Sequence, residues 1–136
     1  MTVLNTTRNS IVVERLKIAR NLSERLRGLI GSPPLGEREG LLIPYCKGIH
    51  TIGMRYPLDV IYLDRDGKVL KLIEPLPPNS IGHIVLTSNS VLELPVGAIR
   101  WSSTRIGDAL FIQGASESSN GDENSLLKYL RAYLFV

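Results

Sequence analysis

The sequence predicts a small, mainly β domain of the β-rich α+β class, arranged as an antiparallel sandwich, a jelly-roll-like fold or a barrel. Six or seven short apolar runs, separated by turn residues, fall within the first 113 residues, and only one convincing helix interrupts them. The chain has 136 residues, of which 43% are hydrophobic, which suits one globular domain with its own core. A single cysteine excludes an internal disulfide framework.

The elements of the N-terminal third follow from local patterns. Residues 11–18 alternate apolar and basic side chains and predict a strand. A short helix follows, because Asn21 can cap its N-terminus and Glu24, three residues later, can complete a capping box. Gly31 and the prolines after it end this helix after two or three turns. Residues 40–43 form a short apolar run before a proline, which predicts a buried strand.

The clearest local signal is a hairpin. Residues 58–63 and 68–73 are apolar runs joined by a turn that ends in Asp66-Gly67. Residues 74–80 hold three prolines within four positions and predict a loop. The remaining elements are three short strands and one helical turn, predicted at 84–86, 90–94, 109–112 and 97–101.

The composition changes after the last predicted strand. We expect residues 1–113 to form a single β-rich domain, and the polar residues 114–125 to form a flexible linker. Residues 126–136 repeat leucine and tyrosine at helical spacing and predict an amphipathic C-terminal helix. That helix either docks on the domain or serves a partner.

The charge and the N-terminus limit the classes of partner. The net charge is +3, and residues 8–27 hold six basic residues against two acidic ones. We interpret these charges as solvated strand and helix faces, since no nucleic-acid-binding motif accompanies them. The sequence shows no signal peptide and no apolar run near the roughly 20 residues of a transmembrane helix. We therefore expect a cytoplasmic protein, monomeric or weakly dimeric, without a specific nucleic-acid partner.

The stretch from Cys46 to Asp59 concentrates groups that could carry chemistry. Cys46, His50 and Met54 are spaced four residues apart and would share one face of a helix, as ligands of a soft metal could. The glycines and β-branched residues between them disfavour a helix, and four extended residues span about 13 Å, too far for one ion. Cys46 with His50 also lacks the orienting group of a nucleophile–base pair. We therefore predict no metal and no cofactor, with Cys46 and Met54 in the core.

Two carboxylates are candidate companions of His50. Asp59 begins a predicted strand, and Glu93 interrupts an otherwise apolar one, where burial requires a partner. The available partners are Arg25, Arg27, Arg55 and His50. Either the acids form a polar pocket with His50 and these arginines, or they belong to a buried ion-pair or capping network. Asp108 is ordinary turn chemistry before the last strand.

The ordered motifs of the chain resemble one protein family. These motifs are the segment from Ser23 to Gly31, Gly40-Leu-Leu, His50-Thr51, the segment from Pro57 to Asp64, the segment from Val91 to Gly97, and Ile106-Gly107-Asp108. Together they resemble the DUF192 family of uncharacterised proteins. The resemblance implies a compact β fold of the sandwich or jelly-roll type and supplies no reaction. Many members carry an aromatic-Trp-Met pattern where this chain has Ile49-His50-Thr51, so the chain is similar to a histidine-bearing branch.

Three hypotheses of function follow. The first is a non-catalytic domain that binds a small molecule or a partner protein through five residues: Arg25, His50, Thr51, Asp59 and Glu93. The second is a hydrolase-like acid–base enzyme that uses His50 with Asp59 or Glu93. The third is an accessory subunit whose C-terminal helix docks on a membrane-associated complex.

Overall fold

The computed structural model describes residues 1–114, so the predicted helix at 126–136 and all but Gly114 of the predicted linker lie outside the described residues. The strands are β1 (Thr2–Asn5), β2 (Ser10–Val13), β3 (Arg15–Ile18), β4 (Glu39–Pro44), β5 (Leu58–Leu63), β6 (Val69–Leu76), β7 (Ser90–Leu94) and β8 (Leu110–Gln113). The helices are α1 (Leu22–Arg27) and α2 (Ala98–Trp101). Neither of these helices could span a membrane.

The strands of residues 1–114 form two separate sheets and no closed barrel, which confirms the prediction of a mainly β domain of the β-rich α+β class. The larger sheet has the order β3-β4-β7-β5-β6, and the smaller has the order β2-β1-β8. Every pair is antiparallel except β3 with β4, which are parallel because the chain crosses over through α1 between them. Strands β4, β7 and β5 occupy the centre of the larger sheet, so their side chains are buried on both faces.

Each face of the larger sheet has its own hydrophobic core. One core lies between the two sheets and includes Leu42, Leu92 and Ile61 of the central strands together with α2. The other core lies on the opposite face, where Leu41 and Val60 pack with Leu29 and the loops that follow β4 and β6. A polar side chain on a central strand is therefore buried whichever face it points to.

The predicted cap of the first helix is confirmed. The Asn21 side chain accepts the Glu24 N–H at 2.8 Å, and the Glu24 carboxylate accepts the Arg20 N–H at 2.6 Å. The helix is shorter than predicted and ends at Arg27, because Gly28 adopts a positive φ of 53° that no longer follows the helix. This early reversal turns the chain back toward the larger sheet.

The predicted hairpin is also confirmed as β5 and β6. Asp64 accepts the N–H groups of Asp66 and Lys68 at 2.8 and 2.9 Å and closes the turn. The loop predicted at 74–80 begins later than expected, because β6 continues to Leu76. Pro75 is tolerated there since β6 is an edge strand with an irregular register at this point.

Two strand predictions were wrong, and one strand was missed. Residues 11–18 form two strands in different sheets, because the chain breaks at Glu14, where the N–H groups of Glu14 and Arg15 both donate to Arg38. Strand β1 was not predicted, since its four residues carry little apolar pattern and are held by β2 and β8. Residues 84–86 form no strand; Ile84 and Leu86 are exposed.

Candidate functional site

The two candidate carboxylates lie on opposite faces of the larger sheet. Between β5 and β7, Asp59 pairs with Leu94 and Val60 pairs with Glu93. Paired residues on neighbouring strands share a face, and successive residues alternate, so Asp59 and Glu93 point in opposite directions. The structure does not bring these two acids into one site, contrary to the grouping predicted from the sequence.

Asp59 has a structural role on the face between the sheets. Its Oδ2 atom accepts the N–H groups of Gly97 and Ile99, both at 3.1 Å, and so caps the N-terminus of α2. Gly97 has a φ of 100°, a conformation that favours glycine. Burial raises the pKa of Asp59, and the two hydrogen bonds oppose that rise. Asp59 therefore positions α2 rather than facing a ligand.

Asp108 is likewise held by its neighbours. Its Oδ2 atom accepts hydrogen bonds from Asn5, Arg8 and the Arg105 N–H, at 3.0, 3.1 and 2.9 Å. Burial opposes the charge, but these hydrogen bonds, led by that of Arg8, outweigh it and lower the pKa of Asp108. The network joins β1 to the turn before β8, which agrees with the turn role predicted for Asp108.

Glu93 is the buried acid without such support. The residue is 2% exposed in the centre of β7, with Leu41 and Val60 as its strand neighbours. Its Oε2 atom has no hydrogen-bond partner among the described residues. Burial raises the pKa of Glu93 to about 8, because the carboxylate form is poorly solvated there. At neutral pH the side chain is mostly a neutral carboxylic acid.

Glu93 lies at the base of a pocket of about 240 Å³. The pocket is formed by the end of α1, the end of β4 and the connection between β4 and β5. Its lining residues are Arg25, Arg27, Gly28, Ile43, Pro44, Tyr45, Cys46, Gly48, Ile49, His50 and Glu93. The pocket thus unites His50, Arg25 and Glu93 from the predicted set.

Gly28 brings the end of α1 close to the acid. A Cβ atom at this position would lie 3.2 Å from Oε1 of Glu93, and the positive φ of Gly28 independently favours glycine. The backbone reversal at Gly28 therefore brings the end of α1 against the acid at the base of the pocket.

Cationic and donor groups surround the mouth of the pocket. The Arg25 guanidinium lies 5.8 Å from the centroid of the Tyr45 ring, and the exposed Arg27 donates through Nε to the Ile30 carbonyl at 2.9 Å. His50 is exposed, and its Nδ1 atom accepts the Ile52 N–H at 3.3 Å. In a neutral imidazole this leaves the proton on Nε2.

Cys46 lines the pocket but is not an activated nucleophile. Its thiol donates to the Gly48 carbonyl at 2.8 Å, and burial raises its pKa, which favours the unreactive thiol. Met54 is buried in the core on the same face as Glu93. Within residues 1–114, no three His, Cys, Asp or Glu side chains cluster closely enough to hold a metal ion.

The Thr51 hydroxyl is not free to bind a ligand, because backbone groups of the protein already occupy it. The residue is fully buried, and its hydroxyl donates to the Pro77 carbonyl and accepts the Ser80 N–H at 3.0 Å. It fastens the loop after β6 to the residue that follows His50, and Thr51 itself does not line the pocket.

The structure places two further residues at the pocket: Arg27, which the sequence offered only as one of several available partners for the acids, and Tyr45, which was not predicted. Arg27 reaches the mouth because α1 ends immediately after it, and the sequence placed that end about a turn later. Tyr45 follows β4 with a positive φ of 55°, a conformation that its sequence context does not signal. Had Gly28 been taken as the end of the predicted helix, Arg27 would have been placed at the pocket.

Comparisons with known proteins agree with this fold and assign no activity. The family model for DUF192, described as "Uncharacterized ACR, COG1430", matches residues 3–112. A "UPF0127 protein" from Thermococcus sibiricus is 29% identical over 118 residues, covering 79% of this chain and 72% of its own.

Two solved structures resemble the chain. One is a protein of unknown function from Novosphingobium aromaticivorans, with a TM-score of 0.68 and 23% identity over 80% of this chain and 81% of that one. The other, from Sinorhizobium meliloti, is described as a "putative transcription regulator" and has a TM-score of 0.66 and 21% identity over 80% of this chain and 88% of that one. At these identities the likeness shows the fold alone.

Proposed function

Because the chain belongs to DUF192, a family described only as uncharacterised, we propose a function from its own pocket: it is a β domain that binds a small ligand above Glu93. The observation that carries this proposal is the buried carboxyl group of Glu93, which lines the pocket and whose Oε2 atom has no hydrogen-bond partner among the described residues. A buried polar atom without a hydrogen-bond partner typically costs about 1–3 kcal/mol. A ligand that pairs with this atom would recover part of that cost.

A structural ion pair is the alternative explanation for a buried glutamate, and the contacts disfavour it. Within residues 1–114, the ion pair that the structure forms joins Arg8 to Asp108, neither of which lines the pocket. Arg25 and His50 line the same pocket as Glu93 without reaching its carboxyl group within ion-pair distance. Neither basic residue therefore neutralises the acid through an ion pair, and both share its pocket.

The test is a thermal-shift screen of a diverse fragment library against the full chain. A ligand of the pocket should raise the melting temperature of the wild type. The rise should fall or vanish in Glu93→Ala and in His50→Ala. His83→Ala is the matched control, since His83 is also an exposed histidine but does not line the pocket. Hits that persist in both pocket variants would contradict the proposal.

Acid–base catalysis is a second candidate, favoured by one observation. Burial raises the pKa of Glu93 to about 8, close to neutral pH, where a carboxyl group can both give and take a proton. His50 at the same pocket is the possible second group. The expected signature is a Glu93→Gln variant that still binds the ligand but loses roughly 10²- to 10⁴-fold in turnover. Equal turnover in the variant would remove this candidate.

Docking of the predicted helix at 126–136 on a membrane-associated complex stays a prediction, because those residues lie outside the described part of the chain. Its test is removal of residues 115–136. The shortened protein should keep the melting temperature of the full chain and fail to co-purify with membranes. Loss of folding would count against this role.

A further inference from the structure

The lining of the pocket has two chemically different ends. Glu93, at the base, is 2% exposed. Arg27 and His50, at the mouth, are exposed, and Arg25 is half-buried. Between the two ends lie the apolar walls, formed by Ile43, Pro44 and Ile49. A ligand that fills the pocket must satisfy both ends and present an apolar surface between them.

The mouth offers hydrogen-bond donors and positive charge. A guanidinium has five N–H donors and no acceptor, and it matches the two oxygens of a carboxylate. His50 adds a donor at Nε2, because its Nδ1 atom already accepts the Ile52 N–H. Among the described lining residues, Glu93 alone is acidic, and it lies at the far end. The mouth is therefore complementary to an anion.

The base offers a donor without a full charge. A protonated carboxyl group donates one hydrogen bond through its O–H. Burial keeps Glu93 in this form near neutral pH by raising its pKa to about 8. A cationic ligand would require ionised Glu93 and would meet Arg25 on the way in, so an uncharged acceptor fits this end better.

We propose that the ligand is a short bipolar molecule, with a carboxylate at the Arg25–His50 mouth and an uncharged hydrogen-bond acceptor, such as a carbonyl oxygen, at Glu93. This inference rests on the proposed function and narrows it to one class of ligand. The pocket volume of about 240 Å³ has room for about eight non-hydrogen atoms, taking roughly 30 Å³ for each water-sized group.

This arrangement couples binding to the protonation of one group. The ligand's acceptor needs the Glu93 proton, so affinity should fall as the pH rises above about 8, the pKa of Glu93. The other titratable or charged groups that face the acid are Arg25 and Arg27 from α1, Tyr62 from β5, and Tyr45, Cys46, His50 and Tyr56 from the connection between β4 and β5. Replacing Glu93 by glutamine keeps an N–H donor at every pH and should abolish that fall.

The probes are three small molecules titrated into the full chain and followed by amide NMR shifts. The acid 4-oxopentanoate has both ends, pentanoate lacks the acceptor, and 4-oxopentanamide lacks the anion. We expect 4-oxopentanoate to shift the pocket amides and to bind at least about tenfold more tightly than either truncated probe, since each loses a charge-assisted or buried hydrogen bond.

Two variants identify the ends of the ligand. Arg25→Ala should weaken the binding of 4-oxopentanoate about tenfold and leave the affinity for 4-oxopentanamide unchanged. Arg105→Ala, an exposed arginine outside the pocket, is the control and should change neither. Glu93→Gln should bind 4-oxopentanoate equally at pH 7 and pH 9, whereas the wild type loses affinity between them.

Each contrary result overturns a defined part. If pentanoate binds as tightly as 4-oxopentanoate, the proposed hydrogen bond from Glu93 to the ligand's acceptor is wrong. If 4-oxopentanamide binds as tightly, the proposed anion site at the mouth is wrong. Absence of pocket shifts with all three probes overturns the ligand class. The proposed function would then still stand if the fragment screen yields a pocket ligand of another chemistry, and it falls if the screen yields none.

Discussion

Replacing Glu93 by glutamine should make the protein more stable at neutral and alkaline pH. The carboxyl group has a pKa of about 8 in the folded protein against an ordinary value of 4.5. Between these values the folded state holds a proton that the unfolded state releases, so the free energy of unfolding decreases as the pH rises. The decrease begins near pH 4.5 and is complete above about pH 8.

The magnitude follows from the same two values. Each unit of pKa difference corresponds to 1.36 kcal/mol, so wild-type protein should lose about 3 kcal/mol of stability through this group between pH 5 and pH 8. Glutamine does not ionise and should remove that dependence. The variant and the wild type should differ little at pH 5, and the variant should be more stable by a few kcal/mol at pH 8.

Urea unfolding of both proteins at several pH values from 5 to 8 measures this difference. Glu37→Gln, the same substitution at an exposed glutamate outside the pocket, is the control and should follow the wild type. Parallel pH profiles for wild type and Glu93→Gln would refute the reasoning, because they would mean that Glu93 ionises equally in the folded and unfolded states.

Three further substitutions or reactions probe the geometry around the acid. Gly28→Ala should lower the free energy of unfolding in urea by about 1–3 kcal/mol, and should also shift the titration of Glu93, because the new Cβ lies 3.2 Å from its carboxyl group. Gly107→Ala is the control for the backbone cost, since Gly107 has a φ of 92° and open space around it. This control should leave the Glu93 titration unchanged. Asp59→Ala should lower the free energy of unfolding by about 2–3 kcal/mol, since two capped N–H groups of α2 lose their acceptor, and equal stability would contradict the capping role. Cys46 should react with a disulfide reagent more slowly in the native protein than in urea, because burial raises its thiol pKa, and equal rates would contradict its half-buried placement.

The parts of the fold that the sequence predicted are those fixed by neighbouring residues. The β5–β6 hairpin depends on Asp64 and the turn that follows it, and the start of α1 depends on Asn21, so both could be derived locally. Strand β1 could not, because its partners include β8, more than a hundred residues away. The break at Glu14 was hidden because both halves of residues 11–18 are strand-forming.

The candidate site was predictable as a set of residue types but not as an arrangement. An acid within an apolar strand singled out Glu93, and the same reasoning singled out Asp59. Which face each acid takes depends on the register of β5 against β7, and no local pattern records that register. The meeting of Arg25 with His50 at one pocket likewise depends on where α1 ends.

Titration of the Glu93 side-chain carboxyl carbon by NMR tests most directly whether Glu93 is an unpaired, buried acid. We expect a midpoint near the value of about 8 that burial gives this group, and a change in that midpoint when a pocket ligand is added. A midpoint near the ordinary 4.5, unmoved by any ligand of the screen, would show a solvated or paired carboxylate. That result would contradict an unpaired acid at the base of a binding pocket.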